Sequence, residues 1–340
     1  MRRLPVYLVL DCSVSMVGEP IAAVRTGVEQ LLRELRKNPH ALETVHVSVI
    51  GFSSQARQLM PLTELAEAQP PELRLGPGTA LSAALTLLRE RIDAEVKPTT
   101  ATRKGDYLPL VFLLTDGIPS DGIEAAVEAV ERPGGTRIGT LYCIGCGEDV
   151  DLSALHRLGD AVFQLDEMTE EQIGALFMWL TASVRSASVA VAQTGGGAGP
   201  LDLSKLPDSV WMVPKDKART PDPEPKVMIM KGMCSTSGRP YLMRYVRWVA
   251  GGSYRAVSSH PIEVLEDAGE AGQFDPVASS RLDGVAPCAH CANDGAGVCG
   301  ACGTLFCLPY FGSPFATCPS CERTMRLGEG TDFQIPSRSD

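Results

Sequence analysis

The apolar run Pro5-Val6-Tyr7-Leu8-Val9-Leu10 ends on Asp11-Cys12-Ser13-Val14-Ser15, and an amphipathic stretch begins near Ile21. That order predicts a buried strand, a tight turn and a helix. In α/β proteins such a loop lies at the carboxyl edge of a parallel sheet, where ligands bind. One carboxylate and two hydroxyls at alternate positions offer hard oxygens, and Mg²⁺ takes about six of these at ~2.1 Å, some from water. Asp and Ser are also the usual residues of helix caps, so this loop alone reads equally well as a cap.

Two further stretches favour the metal. Thr79 lies in Gly76-Pro77-Gly78-Thr79-Ala80, directly before the helical pattern that starts at Leu81, and Asp116 follows the apolar run Leu108 to Leu114. Both fall where a sheet edge meets a loop, the same edge as Asp11. Together, Asp-x-Ser-x-Ser, a distant Thr and Thr-Asp-Gly resemble the metal-ion-dependent adhesion site of von Willebrand factor A domains. Asp11, Ser13, Ser15, Thr79 and Asp116 match all five positions in that family's order. The resemblance implies Mg²⁺ or Mn²⁺ held directly or through water, with one position open for an Asp or Glu of a protein partner. Met16 and Gly117 are expected at the partner-binding rim.

Along the chain, Ile21, Val24, Val28, Leu31, Leu32 and Leu35 repeat at three and four residues, which makes one helical face. Thr44 to Phe52 reads as a strand, and Gln58 to Leu62 as an edge strand hairpinned to it. Leu81 to Ile92, Asp121 to Val130, Leu152 to Leu158 and Glu170 to Val184 read as helices. Leu108 to Leu114 and Arg137 to Ile144 read as strands. Alternation of this kind predicts a doubly wound, mostly parallel α/β sheet with helices on both faces. Its end is expected near residue 190. A Gly/Pro-rich linker over 191–225 follows, with four prolines from Pro214 to Pro225. A small β-rich region over 226–327 and a polar tail over 328–340 complete the expected order. Lys97 to Asp106 is polar and without apolar period, a solvated loop on which Thr99, Thr100 and Thr102 are candidate phosphorylation sites.

Of eleven cysteines, seven fall between Cys288 and Cys321, and six of these form three Cys-x-x-Cys pairs. No secretion signal is recognisable: the apolar part after Met1-Arg2-Arg3 is short and Asp11 interrupts it. Clustered thiols in that setting point to thiolate-bound zinc in a reducing compartment, and so to a cytoplasmic protein. Structural zinc takes four ligands in a tetrahedron. The reading that suits a zinc ribbon, with its core over 285–325, joins Cys288 and Cys291 to Cys318 and Cys321. Cys299, Cys302 and Cys307 then remain, to fill a second site with His290, to replace an outer pair, or to be buried thiols. Cys143 and Cys146 form a further Cys-x-x-Cys, while Cys12 and Cys234 read as buried by default. Gly295 to Gly300 matches a dinucleotide fingerprint only formally, because no strand precedes it and no helix follows.

Net charge is −10 with pI near 5.1, which argues against general attraction to nucleic acid or anionic membrane. No unbroken apolar run approaches the ~18 residues of a membrane span. A strand followed by Asp11, with Asp116 and Asp121 later, is similar to the carboxylate set of haloacid-dehalogenase-type phosphatases. That chemistry needs a second Asp two residues after the first, and Ser13 stands there. A structural subunit with an incidental metal site is the third reading. The whole arrangement, including Lys231-Gly-Met-Cys-Ser, Arg239-Pro-Tyr-Leu and the cysteine pairs, resembles the tellurite-resistance TerY-like family. The resemblance implies a non-enzymatic signalling scaffold in a stress response, with a protein kinase and a metal-dependent (PP2C-type) phosphatase as partners.

Overall fold

A computed structural model describes residues 2–131, 137–194, 205–220, 226–249, 252–262, 277–308, 314–327 and 334–335. The chain divides into two units, Met1–Pro221 and Asp222–Asp340.

The first unit runs β1 (Leu4–Asp11), α1 (Glu19–Arg36), α2 (Pro39–Thr44), β2 (Val45–Phe52), β3 (Ala56–Glu64), α3 (Leu81–Glu95), β4 (Leu110–Thr115), α4 (Glu124–Glu131), β5 (Thr140–Cys146), α5 (Leu152–Leu158), β6 (Ala161–Leu165), α6 (Glu170–Thr194) and β7 (Val210–Met212). The strands lie in the order β3-β2-β1-β4-β5-β6-β7, parallel except for β3 and β7 at the two edges. Every residue of β1 is buried, as a central strand covered on both faces must be. Strand alternation sorts its side chains. Leu4, Val6, Leu8 and Leu10 enter a core with Val24, Val28 and Leu31 of α1 and Ile173, Phe177 and Leu180 of α6. Tyr7 and Val9 enter the opposite core, with Leu85 and Leu88 of α3, Ala126 of α4 and Leu155 of α5. The sheet is therefore doubly wound, with helices on both faces.

Helix α1 is entered through Pro20, whose missing N–H costs nothing in the first turn, and carries Arg33 and Arg36 in its last, where cations oppose the helix dipole. Gly27 lies on its buried face. A Cβ there would sit 2.3 Å from the Phe177 ring of α6. Gly27→Ala therefore gains helix propensity but overpacks this contact. We expect a net destabilisation of roughly 1–3 kcal/mol in urea denaturation; a stabilised variant would show that α6 can move away.

Helix α6 is long and apolar enough over Glu170–Val191 to cross a membrane by length and composition, with 56% of its most apolar window buried inside the fold. Ile173, Leu176, Phe177, Trp179, Leu180 and Val184 pack in the core, which accounts for most of that apolarity.

The α/β unit extends beyond the expected limit near 190. α6 continues to Thr194, and β7 adds to the sheet beside β6 through Phe163↔Met212 and Leu165↔Val210. Part of the expected linker is thus an edge strand. Its Gly195 to Pro200 portion lies outside the described residues. Helix α2 and strand β6 had no counterpart in the sequence reading, both being shorter than a periodic pattern needs to stand out.

The second unit is built on a six-stranded sheet. The described strands of the unit are β8 (Val227–Met233), β9 (Pro240–Val249), β10 (Ser253–Pro261), β11 (Val277–Ala278), β12 (Leu282–Asp283), β13 (Gly295–Val298), β14 (Leu305–Leu308), β15 (Phe315–Thr317), β16 (Thr324–Arg326) and β17 (Gln334–Ile335). The sheet order is β12-β10-β9-β8-β14-β13, and β11-β17 and β15-β16 form separate two-stranded pairs. The pairing of β17 with β11 draws part of the expected polar tail back onto the unit.

Candidate metal centres

The strand order reverses between β1 and β4. From β1 the chain passes to α1 on one face, and from β4 to α4 on the other, which opens a crevice at their carboxyl ends. Asp11 closes β1 there and Asp116 directly follows β4. Asp11, Ser13, Thr79 and Asp116 are all buried, and Ser15 is half-buried.

Hydrogen bonds gather these side chains. Ser13 N–H donates to Asp11 Oδ1 at 2.8 Å, and Thr115 Oγ1 donates to Asp11 Oδ2 at 2.5 Å. Ser15 Oγ donates to Asp116 Oδ1 at 2.8 Å and lies 2.9 Å from Ser13 Oγ. The loop bearing Thr79 is laced to the others by Gly76 N to Cys12 O at 2.9 Å, Ala80 N to Ser53 O at 2.7 Å and Ser120 N to Thr79 O at 2.9 Å. Gly76 permits that approach, since a Cβ there would fall 2.3 Å from Ser53 Oγ.

Thr79 Oγ1 is buried and finds no hydrogen-bond partner among the described residues. Such an orphan costs about 1–3 kcal/mol. A hard cation among two carboxylates and three hydroxyls would satisfy it, so the residues present fit the ion.

Two of the expected rim positions are corrected. Met16 is fully buried, its side chain turned into the core with α1, and Gly117 is buried as well. The short 3-10 turn Val14–Met16 directs Met16 inward and leaves Ser15 at the opening. Ser15, Ile118, Pro119 and Ser120 are the partly or fully exposed residues around it. Asp121 is committed elsewhere: its carboxylate accepts from Ser82 N at 3.0 Å and Ala83 N at 2.9 Å, capping α3. Thr115, the Thr of the Thr-Asp-Gly motif, braces Asp11, a role the sequence reading did not assign. Ser120, which braces Thr79, was missed because a hydroxyl beside a motif carries no spacing of its own.

Cys143 and Cys146 do not form a site. They sit on β5 with their thiols in opposite cores, as residues three apart on a strand must. Burial, and then the charges of Asp116 and Asp11, push the Cys146 thiol well above its ordinary range. Thr99, Thr100 and Thr102 lie on an exposed loop; Thr99 Oγ1 accepts from Gly105 N at 3.0 Å and Thr100 Oγ1 from Arg103 N at 3.2 Å.

In the second unit eight thiols form two groups, Cys234, Cys288, Cys291, Cys307 and Cys299, Cys302, Cys318, Cys321, each with its sulfurs within 4.8 Å of one another. The sulfurs lie 3.5 Å apart for Cys291 and Cys307, and 3.6 Å apart for both Cys299–Cys321 and Cys302–Cys318. A tetrahedron of ~2.3 Å Zn–S bonds has edges of about 3.8 Å, so the thiols present fit such an ion. The joining of Cys288 and Cys291 with Cys318 and Cys321 is thereby corrected. His290 belongs to neither group; its Nε2 is hydrogen-bonded to Pro240 O at 2.8 Å.

The physical reason lies in the β13–β14 hairpin. On β14, Leu305 and Cys307 face the core that contains Met228, Met230, Tyr241 and Cys288. Phe306 and Leu308 face the other way, towards Cys299, Cys318 and Cys321. The two outer pairs thus lie on opposite faces of one hairpin.

Cys234 is the ligand that sequence reading placed among the buried thiols. Its signal was present. In each Cys-x-x-Cys turn the first cysteine N–H bonds to a carbonyl five residues on: Cys288 to Asn293 at 2.8 Å, Cys299 to Thr304 at 2.9 Å and Cys318 to Arg323 at 2.9 Å. Cys234 N bonds to Arg239 O at 2.9 Å in the same way. The fifth position is left-handed in all four turns, at Ala292, Gly303, Glu322 and Gly238. Cys234-Ser-Thr-Ser237-Gly238 is therefore a fourth such turn with Ser237 in place of its second cysteine, and Cys307 supplies the missing sulfur. Ser235 N–H, 3.3 Å from Cys307 Sγ, supports that thiolate.

The fold and the first site define a von Willebrand factor type A domain, and the matching family model spans residues 6–174. Residues 224–338 match the TerY-C metal binding domain, so the chain joins a von Willebrand factor type A domain to a TerY-C metal binding domain. A von Willebrand factor A domain-containing protein of Dictyostelium discoideum is 31% identical over 153 residues, 42% of this chain and 16% of that protein. The chain thus spans a small part of that relative's length. Among solved structures, the ArnB paralog VWA2 from Sulfolobus acidocaldarius is 17% identical with TM-score 0.39, covering 55% of this chain and 45% of that one. Proximal thread matrix protein 1 from the mussel byssus, solved with a zinc occupied MIDAS motif, is 18% identical with TM-score 0.40 over 54% and 48% of the two chains.

Proposed function

We propose that this chain is a non-enzymatic, metal-dependent adaptor of a cytoplasmic stress-signalling system. Asp11, Ser13, Ser15, Thr79 and Asp116 hold Mg²⁺ or Mn²⁺ directly or through water, and a partner's Asp or Glu completes the shell. Two carboxylates bring the divalent ion only to formal neutrality and the three hydroxyls add no charge, so its shell still accepts an acidic ligand. The observation that carries the reading is the buried, unpartnered Thr79 Oγ1 on a loop tied to both carboxylate-bearing loops.

Each Cys₄ group holds one Zn²⁺ in the second unit. Four thiolates fill a tetrahedral shell and leave no position for substrate or water, so these ions hold structure. The resemblance to TerY-like proteins makes a protein kinase and a PP2C-type phosphatase the partners to test. Against a haloacid-dehalogenase-type phosphatase stand Ser13 at the general-acid position and the commitment of Asp121 to capping α3.

The test is a tagged pull-down from native lysate in Mg²⁺, comparing wild type with Asp11→Ala. We expect a kinase or phosphatase to co-purify with wild type alone. The same proteins recovered with both would move the interface away from the metal, and hydrolysis of a phosphoester by wild type but not by Asp11→Ala would restore the catalytic reading.

A further inference from the structure

The two thiol groups differ in what surrounds them. In the group Cys234, Cys288, Cys291, Cys307 none is exposed and three are buried, within a core of Met228, Met230, Tyr241, Met243 and Tyr245. In the other group Cys302 is exposed and Cys321 half-exposed. Among the described residues, the segment that supplies Cys318 and Cys321 carries only β15 and β16, which pair with each other and with no third strand. An isolated two-stranded hairpin is marginal at best in water. Its attachment therefore depends on its ion and on the small cluster around Phe306.

We infer that Cys299, Cys302, Cys318 and Cys321 form an oxidant-responsive site, in which a peroxide oxidises Cys302 and the metal leaves. This rests on the reading that each Cys₄ group binds zinc. The exposed Cys302 thiolate attacks one peroxide oxygen; an S–O bond forms, the O–O bond breaks, and hydroxide departs, leaving a sulfenic acid. The Cys318 thiolate, whose sulfur lies 3.6 Å away, then attacks the Cys302 sulfur. A disulfide forms, the S–O bond breaks and a second hydroxide leaves. Two protons convert the hydroxides to water, so two thiolates have given two electrons to one peroxide. Zn²⁺ has lost two of four ligands and dissociates, releasing the β15–β16 hairpin. The first group keeps its ion because no thiol there is exposed to the oxidant.

The experiment uses the full chain, isolated with its metal. Zinc content is measured first, and fewer than two equivalents would refute the zinc reading itself. Hydrogen peroxide is then added in steps. Released zinc is followed with a coloured chelator, and cysteines are mapped by alkylation and peptide mass spectrometry. The expected result is loss of one equivalent with a Cys302–Cys318 disulfide, while Cys234, Cys288, Cys291 and Cys307 remain reduced; a thiol reductant with added zinc restores the second equivalent. Cys302→His, which keeps a zinc ligand but cannot form the disulfide, should hold both equivalents at the same peroxide concentration. Simultaneous loss of both ions, or oxidation of the buried group first, would overturn the inference.

Discussion

Cys307→Ser should cost the second unit its cooperative fold. Cys307 is almost fully buried on β14, in the core shared with Met230, Tyr241 and Met243 and in the Cys₄ group that also joins β8 to the Cys288 turn. Structural zinc contributes on the order of 10 kcal/mol to the folding of small domains. The whole marginal stability of a domain is about 5–15 kcal/mol. Removing one of four thiolates is therefore expected to release one metal equivalent and to abolish the near-ultraviolet circular dichroism and the thermal transition of the second unit. The transition of the α/β unit should remain. Cys302→Ser is the comparison: one equivalent should again be lost, but with the six-stranded sheet retained, because the β15–β16 hairpin held by that ion pairs with no other strand among the described residues. Equal damage from the two variants would show that neither ion is the principal support.

The second large effect is on metal response. Burying two carboxylates together is unfavourable without a cation between them, so Mg²⁺ should stabilise the α/β unit by binding only its folded form. At 100 times the dissociation constant that linkage is worth about 2.7 kcal/mol. For a unit of this size it corresponds to a rise of roughly 5–10 °C in melting temperature. Asp116→Ala removes one carboxylate and the acceptor of Ser15 Oγ. Its melting temperature should no longer respond to Mg²⁺, as differential scanning fluorimetry with and without a chelator would show. A variant that still responds would place the ion elsewhere.

Much of the α/β unit was legible because its strands are long and apolar and its helices repeat at three and four residues. β1 and β4 are nearly continuous apolar runs, β2 carries valines at alternate positions, and α1 shows its buried face in six aliphatic residues. The candidate metal residues were legible because their order matched a known pattern, and the structure brings Asp11, Ser13, Ser15 and Asp116 into one hydrogen-bonded group. What escaped was decided by tertiary context. β7 is three residues long and is defined by β6 beside it. Met16 looked like a rim residue until a single 3-10 turn pointed it inward. The division of the cysteines escaped for a further reason: spacing along the chain shows which sulfurs share a turn, but not which face of a strand the next sulfur takes. Cys307 and Phe306 are neighbours in sequence and belong to different cores.

That alternation on β14 also bears on how the protein is made. The two ligand sets are interleaved along the chain, with Cys299 and Cys302 of one set lying before Cys307 of the other. When Cys307 leaves the ribosome, six of the eight thiols are already in solution, and no property of an individual sulfur tells an arriving ion which four belong together. The pairing of β13 with β14 does, since a shift of one residue would send Cys307 to the wrong side. Biosynthesis therefore favours closing the hairpin before the metal is committed. A chain loaded too early joins sulfurs that the finished sheet holds apart, and must release its ion before it can fold.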